Sequence, residues 1–198
     1  HSEMKESFAF VRSDFDRICA ASYIIDLVDK VTEVHEPHQD LFDIVLYVLC
    51  ELHDPRRRKV VRFFEIKVLS LLGLFPRFDT CGICGAKIHT AKITFSFQHG
   101  SVICNSSACQ AQSPDAVIIS SGAVASIDFI QRQGLESLSR FRVSKECDEE
   151  IADIIQKFLA YHLNLDLRSL RFIREVEQVS PSMNAKKTDL KSSVRQES

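Results

Sequence analysis

Four of the seven cysteines in this sequence are clustered between positions 81 and 109. Cys81 and Cys84 are separated by two residues, which lets two thiolates converge on one ion while N–H groups of the turn point at the sulfurs. Cys104 and Cys109 follow after a stretch long enough for a β-hairpin. Four thiolates complete a tetrahedral shell and leave no open coordination position. We therefore predict a structural Zn²⁺ site with ligands Cys81, Cys84, Cys104 and Cys109.

The second half of this site has a less common spacing. Four residues separate Cys104 from Cys109, so His89 or His99 could replace one of these thiolates. Both pairs could also be thiols that hold no metal. The other three cysteines occur singly in helix-like stretches and are expected to be free thiols that pack as small hydrophobes: Cys19, Cys50 and Cys147.

Composition and charge limit the class of protein. The chain has 198 residues, of which 45% are hydrophobic and 26% charged, as in ordinary globular proteins. No apolar run approaches the roughly 20 residues that span a bilayer, and the first residues do not have the pattern of a secretory signal. We expect a cytoplasmic protein. Its net charge is -2, so contact with a polyanion requires a local basic patch.

Motifs for catalysis are missing from the sequence. It contains no glycine-rich phosphate loop, no HExxH and no GxSxG. A zinc hydrolase would need three protein ligands and an open position, which a four-thiolate shell does not offer. We therefore expect a binding protein rather than an enzyme.

Two helical blocks flank the cysteine cluster. Hydrophobic periodicity predicts helices over residues 13–34, 40–53, 57–72, 121–133, 144–163 and 168–176. Alternating residues predict strands over 91–97 and 101–104, joined by a turn at His99–Gly100. The expected fold is mainly α: a helical domain with an inserted four-cysteine zinc-ribbon β-hairpin. The expected divisions are 8–77 for the first helical half, 78–112 for the ribbon, 113–177 for the second half and 178–198 for a disordered tail.

Two of these helices carry specific expectations. Ser13 resembles the first residue of a capping box, and the first helix has one set of residues at helical spacing: Phe15, Ile18, Cys19, Ser22, Ile25 and Val28. The helix over 57–72 has the highest apolar content and is expected to lie at the centre of the core.

The densest positive run begins this central helix: Arg56, Arg57, Arg58 and Lys59, followed by Arg62 and Lys67. Cations at a helix N-terminus interact unfavourably with the helix dipole. Their presence here therefore suggests a binding role, for example contact with phosphates or with an acidic protein tail. A solvated charged face is the alternative. A second basic set recurs on the last predicted helix, with no role assigned: Arg168, Arg171 and Arg174.

The order of these elements resembles the C-terminal part of the RecO family, the recombination mediators of bacterial DNA repair. Three stretches carry the resemblance: RSDFDRICAASYIIDLVDK at 12–30, VRFFEIKVLSLLGLFPRFDTCGICG at 61–85 and FLAYHLNLDLRSLRFIREV at 158–176. The resemblance implies a helical domain with a zinc ribbon that follows an N-terminal OB barrel. We expect no OB barrel in this chain.

The resemblance also implies a function and partners. RecO-like proteins bind and anneal single- and double-stranded DNA, and with RecR they load RecA onto strands coated by single-stranded-DNA-binding protein. The family's helical domain can receive the acidic C-terminal tail of that coat protein. Arg62 matches the family's arginine before the aromatic–glutamate step, so it is the first candidate for this contact, with Arg58 and Lys59 behind it. The alternative is a zinc-ribbon helical adaptor that binds only proteins.

Overall fold

The structure is a computed structural model that describes residues 8–32, 38–54, 57–88, 93–139 and 141–163. Within them the chain forms seven α-helices: α1 (Ala9–Arg12), α2 (Phe15–Val31), α3 (Gln39–Glu51), α4 (Arg57–Leu71), α5 (Ser107–Ala111), α6 (Ser121–Arg132) and α7 (Lys145–Leu163). A 3-10 helix spans Leu135–Ser139, and the strands are β1 (Ile93–Ser96), β2 (Ser101–Ile103) and β3 (Val117–Ile119). The helix predicted over 168–176 and the tail from 178 lie outside the described residues.

Helix α4 is the centre of the core, as predicted. Its side chains are buried on all sides from Val60 to Ile66, and it contacts α2, α3, α6 and α7. A helix that is buried on all sides must be surrounded by other elements. The two helical blocks that flank the cysteines in sequence therefore share one core.

The buried face of α2 contains only part of the predicted set at helical spacing. Phe15 and Ile25 are more than half exposed, and Ile18 is 40% exposed. Of the predicted set, Cys19 is buried and Val28 is partly buried against the core, and the other buried residues of α2 are Ala20, Tyr23, Ile24 and Leu27. The N-cap is also one residue later than predicted, because the Asp14 carboxylate, and not Ser13, accepts the N–H of Arg17. Both faces of α2 carry apolar residues, so periodicity alone does not decide which of them is buried.

The hairpin forms part of a three-stranded antiparallel sheet with the order β2–β1–β3. Strand β3 was not predicted, because three residues are too few for a periodic signal. Phe95 is fully buried and lies 6.0 Å, between ring centroids, from Phe158 of α7. One face of the sheet thus packs on the helical core, which leaves the region around β2 to support the cysteines.

Two charged side chains fix the ends of α6. At its start, Glu150 of α7 accepts the N–H and the hydroxyl of Ser120, the N-cap residue, at 2.6 and 2.5 Å. At its end, the Lys67 ammonium of α4 donates to the carbonyls of Gln131, at 3.0 Å, and Gln133. These contacts satisfy helix-terminal groups that would otherwise lack partners. Lys67 therefore belongs to the internal structure rather than to a basic surface.

In the part of the chain that the structure describes, no helix has both the length and the hydropathy to cross a bilayer.

Candidate metal centre and basic residues

The four predicted ligands come together in one cluster. The sulfur atoms of Cys81, Cys84, Cys104 and Cys109 all lie within 4.8 Å of one another, and those of Cys84 and Cys104 are 3.7 Å apart. Tetrahedral Zn–S bonds of about 2.3 Å place the sulfurs about 3.8 Å from one another. The geometry therefore fits a metal ion held by four sulfurs.

The first knuckle is closed by backbone hydrogen bonds. The N–H of Gly85 donates to the carbonyl of Cys81 at 3.0 Å, and the N–H of Cys81 donates to Ala86 at 2.8 Å. Gly85 has a φ of +71°, which side chains other than glycine rarely adopt. Gly82 lies so close to β2 that a Cβ there would be 2.8 Å from the Cβ of Ser101. Both glycines are therefore required by the shape of this turn.

The second pair depends on a short helix. Cys104 follows β2 directly, and Cys109 lies in α5, whose first turn includes Ser107 and Ala108 of the four residues between them. A helical turn shortens the path between the two thiols, so the four-residue spacing still brings both sulfurs to the cluster. Cys109 is buried with Cys81 and Ile103, and Ile83 and Ile88 cover this small apolar cluster.

The surroundings of the thiols shift their pKa values in opposite directions. Burial opposes ionisation of Cys81, but the N–H groups of Cys84, Cys104 and Ile83 outweigh it and lower its pKa to about 6. Burial, together with hydrogen bonds to the other three sulfurs, raises the pKa of Cys109 to about 12. Backbone N–H groups aimed at a sulfur are the arrangement that favours thiolate ligands.

Of the two histidine alternatives, His99 is described and is not among the grouped residues. The Nε2 atom of His99 lies 3.3 Å from the carbonyl oxygen of Gln112, and the potential metal group found among the described residues contains four cysteines. His89 lies outside the described residues. The ring of His162 is tilted against that of Phe158, with centroids 4.2 Å apart, and its Nε2 donates to the carbonyl of Phe97 at 2.8 Å.

Sequence reasoning missed Asp115, which braces the hairpin. Its carboxylate accepts the hydroxyl of Ser96 at 2.9 Å and the N–H of Gln98 at 2.8 Å. Burial opposes its ionisation, but the hydrogen bonds from Gln98 and Ser96 outweigh it and lower the pKa of Asp115. A Pro–Asp step in a loop gives no sequence signal for such a contact.

The basic run predicted to meet partners turns largely inward. Arg62 is 4% exposed and Lys59 is 6% exposed, whereas Arg58 is exposed. Arg56 and the side chain of Arg57 lie outside the described part of the structure. The burial of Arg62 and Lys59 argues against the direct partner contact that we expected of them, because a bound acidic group would first have to displace their packing.

Arg62 is held by a buried network. Its guanidinium donates to Glu65, whose other carboxylate oxygen accepts the hydroxyl of Tyr23 at 2.6 Å. Glu65 and Tyr23 are fully buried. Burial and then the charge of Glu65 raise the pKa of Tyr23, so its hydroxyl remains a donor. Asp148 of α7 is half-buried, and burial raises its pKa against the opposing charges of Arg62 and Arg58. The arginine–aromatic–glutamate step thus joins α4 to α2 and faces α7.

Comparison with known proteins identifies the family. Residues 12–171 match the family model described as "Recombination protein O C terminal". The chain is 31% identical over 172 residues to a DNA repair protein RecO of Desulforamulus reducens, covering 87% of this chain and 66% of that protein. Proteins of the same name from Anaeromyxobacter dehalogenans and Pelotomaculum thermopropionicum are 29% and 30% identical, with 66% and 69% of their lengths covered.

The chain thus spans about two thirds of the length of these relatives. The match covers the helices on both sides of the cysteine cluster and the cluster itself. The chain therefore belongs to the RecO family of DNA repair proteins, and its residues 12–171 correspond to that family's C-terminal region.

Proposed function

We propose that this chain acts as a recombination mediator, through binding rather than catalysis. In this proposal it binds and anneals single- and double-stranded DNA in the cytoplasm, at the nucleoid. With RecR it helps to load RecA onto strands coated by single-stranded-DNA-binding protein. The observation that carries the proposal is the family match over residues 12–171.

The activity assay follows RecA on coated strands. RecA hydrolyses ATP when it assembles on DNA, so the rate of ATP hydrolysis on coated single strands reports loading. We expect this chain and RecR together to raise that rate above the rate with either protein alone. An unchanged rate, with the chain folded and metal-loaded, would contradict the loading step. DNA binding is tested separately by a salt titration, because phosphate contacts weaken steeply with ionic strength.

We infer that the ion in the four-thiol cluster is Zn²⁺. Thiolate ligands in a closed tetrahedral set are typical of structural zinc, and the distances between the sulfurs fit such a shell. Elemental analysis of the purified protein should give one zinc per chain. Cys84→Ser or Cys109→Ser should lower this content strongly, whereas Cys50→Ser, outside the cluster, should retain it.

We propose that Arg58 is the surface cation that meets the acidic tail of the coat protein. It is exposed at the start of α4, whereas Arg62 and Lys59 are buried beneath it. The test is fluorescence anisotropy of a labelled tail peptide at low salt. Arg58→Ala should weaken binding about two- to fivefold, the range for one exposed ion pair. Arg132→Ala removes a similarly exposed arginine of α6 and should have no effect.

The same experiment decides between the two arginines. If Arg62→Ala weakened tail binding more than Arg58→Ala while the protein remained folded, the contact would lie at Arg62 as the family resemblance implies. If the tail peptide did not bind the wild-type chain at low salt, docking on this basic run would be excluded.

A protein-only adaptor is the second candidate. The net charge of -2 and the burial of two cations of the basic run favour it. An adaptor would bind RecR or the tail peptide and show no DNA binding at any salt concentration. The DNA titration described above therefore separates the two candidates.

A further inference from the structure

Helix α3 has the opposite charge to the start of α4. Between His38 and Asp54 the chain contains four acidic residues and neither lysine nor arginine. Among the described helices of more than eight residues, α3 alone lacks a basic residue of these two types. The acidic residues of this stretch are Asp40, Asp43, Glu51 and Asp54. A surface of this charge repels nucleic acid and attracts cationic groups.

A row of apolar side chains runs along the exposed side of this helix. Phe42 is 57% exposed and Leu46 is 36% exposed, and the exposed Cys50 follows one turn further. Residues four apart lie on the same helix face, so the three form a continuous row. Single exposed apolar residues are common on protein surfaces, but a row over three turns is typical of a surface that binds another protein.

An acidic row lies beside the apolar one. Asp43, Tyr47 and Glu51 occupy the adjacent helix positions with the same spacing of four. Burial and then the charges of Glu51 and Glu136 raise the pKa of Tyr47, so the 3-10 helix adds a further negative charge here. On the opposite side of α3, Leu41, Ile44 and Val48 are buried against the core. The two rows are therefore held on a rigid support.

We propose that these two rows, the α3 face (Phe42, Asp43, Leu46, Tyr47, Cys50 and Glu51), bind a basic amphipathic helix of a partner protein. Apolar residues of the partner would pack on Phe42 and Leu46. Its lysines or arginines, about two turns apart, would pair with Asp43 and Glu51. Two parallel rows with a repeat of four residues match the ridge of a second helix. This site uses a different helix and the opposite charge from the Arg58 site, so it does not rest on the proposed function.

The binding test uses the metal-loaded chain and two labelled peptides. One has leucine and lysine at helical spacing, and the other has glutamate in place of each lysine. We expect the lysine peptide to bind and the glutamate peptide not to bind. Phe42→Ser combined with Leu46→Ser should weaken binding at least tenfold. Asp43→Asn combined with Glu51→Gln should weaken it and flatten its salt dependence, because the screened charges are gone.

Matched controls test whether these effects belong to the α3 face. Ile118→Ser removes an apolar side chain that is 61% exposed on β3, and Asp153→Asn removes a surface carboxylate of α7. Both variants should bind the lysine peptide like the wild type. Arg58→Ala should also leave this affinity unchanged, which keeps the two binding sites distinguishable.

Alkylation of Cys50 locates the bound peptide directly. Mass spectrometry measures the rate at which iodoacetamide labels each cysteine. A saturating concentration of the lysine peptide should slow the labelling of Cys50 and leave the labelling rate of Cys147 unchanged. Absence of binding would overturn the proposal, as would binding that neither double variant weakens or an unchanged labelling rate at Cys50. Loss of DNA binding in the α3-face variants would identify a nucleic-acid surface and would overturn it equally.

Discussion

At the scale of single residues, Arg62 illustrates how burial changes the meaning of a charged side chain. The sequence places it in a basic run, yet its guanidinium lies in the core with Glu65 and Tyr23. A buried ion pair is costly to break, because removal of one partner leaves the other charge without compensation in a medium of low dielectric. Substitutions in this network are therefore expected to lower the stability of the folded protein.

We predict that Arg62→Ala lowers the free energy of unfolding by about 3–5 kcal/mol, because it leaves the buried Glu65 carboxylate without a positive partner. Tyr23→Phe, which removes one hydrogen bond to that carboxylate, should cost about 1.5–3 kcal/mol. Urea denaturation of the metal-loaded protein measures both. Arg132→Ala is the control and should change stability by less than about 0.5 kcal/mol, because it removes only an exposed ion pair with Asp128. A loss below about 1 kcal/mol for Arg62→Ala would contradict the internal role.

Asp115 gives a prediction on pH. Its folded-state pKa is lowered from the ordinary 3.8, so its contribution to stability is fully present above pH 3.8 and is lost as the pH falls further. Asp115→Asn should therefore be less stable than the wild type at neutral pH, and the difference should shrink below pH 3.8. Urea denaturation at several pH values measures it. A difference that stayed constant down to pH 2 would show that the carboxylate charge is not involved.

At the scale of elements, the ribbon has two supports of different strength. The sheet carries Phe95 and Val102 into the main helical core. The knuckles around Cys81 and Cys109 have only a small apolar cluster of their own, with Ile103 at its centre. Such a module cannot bury enough apolar surface to be stable alone, so metal binding is expected to supply the remaining stabilising free energy.

We predict that chelation of the metal unfolds the knuckles and leaves the sheet in place. Hydrogen exchange followed by mass spectrometry should show loss of protection at residues 81–88 and 104–113, whereas β1 and α4 remain protected. Added zinc should restore the protection. Equal loss of protection in α4 would mean that the metal supports the entire core.

At the scale of the whole molecule, the ribbon divides the helical domain in sequence but not in space. Helix α4 belongs to the first half, yet it packs against α6 and α7 of the second. Its buried residues face all directions, so neither half can cover them alone. The divisions at 77 and 112 therefore separate stretches of sequence that must fold together.

A fragment of residues 1–77 tests this dependence. It retains α2, α3 and α4 but loses the helices that cover the other side of α4, so we expect no cooperative thermal transition by circular dichroism. The full metal-loaded chain should unfold cooperatively under the same conditions. A sharp transition in the fragment would show that the first half is an independent domain.

The sequence by itself determined the features that depend on local spacing. The cysteine intervals predicted the four clustered thiols, and apolar periodicity predicted α3, α4, α6 and α7 nearly to their ends. It also placed α4 at the centre, because this helix has the highest apolar content of the predicted helices. These inferences need only the geometry of one element at a time.

Only the tertiary structure decided which of several similar side chains face inward. It buried Tyr23 rather than Phe15, and it placed Arg62 in the core beneath an exposed Arg58. It also added β3, which three residues could not signal, and brought Asp115 and Glu150 to partners distant in sequence. The reason is that the burial of a side chain and its hydrogen-bond partners depend on which helices and strands pack together. In a helix with apolar residues on both faces, the helical period does not show which face is buried.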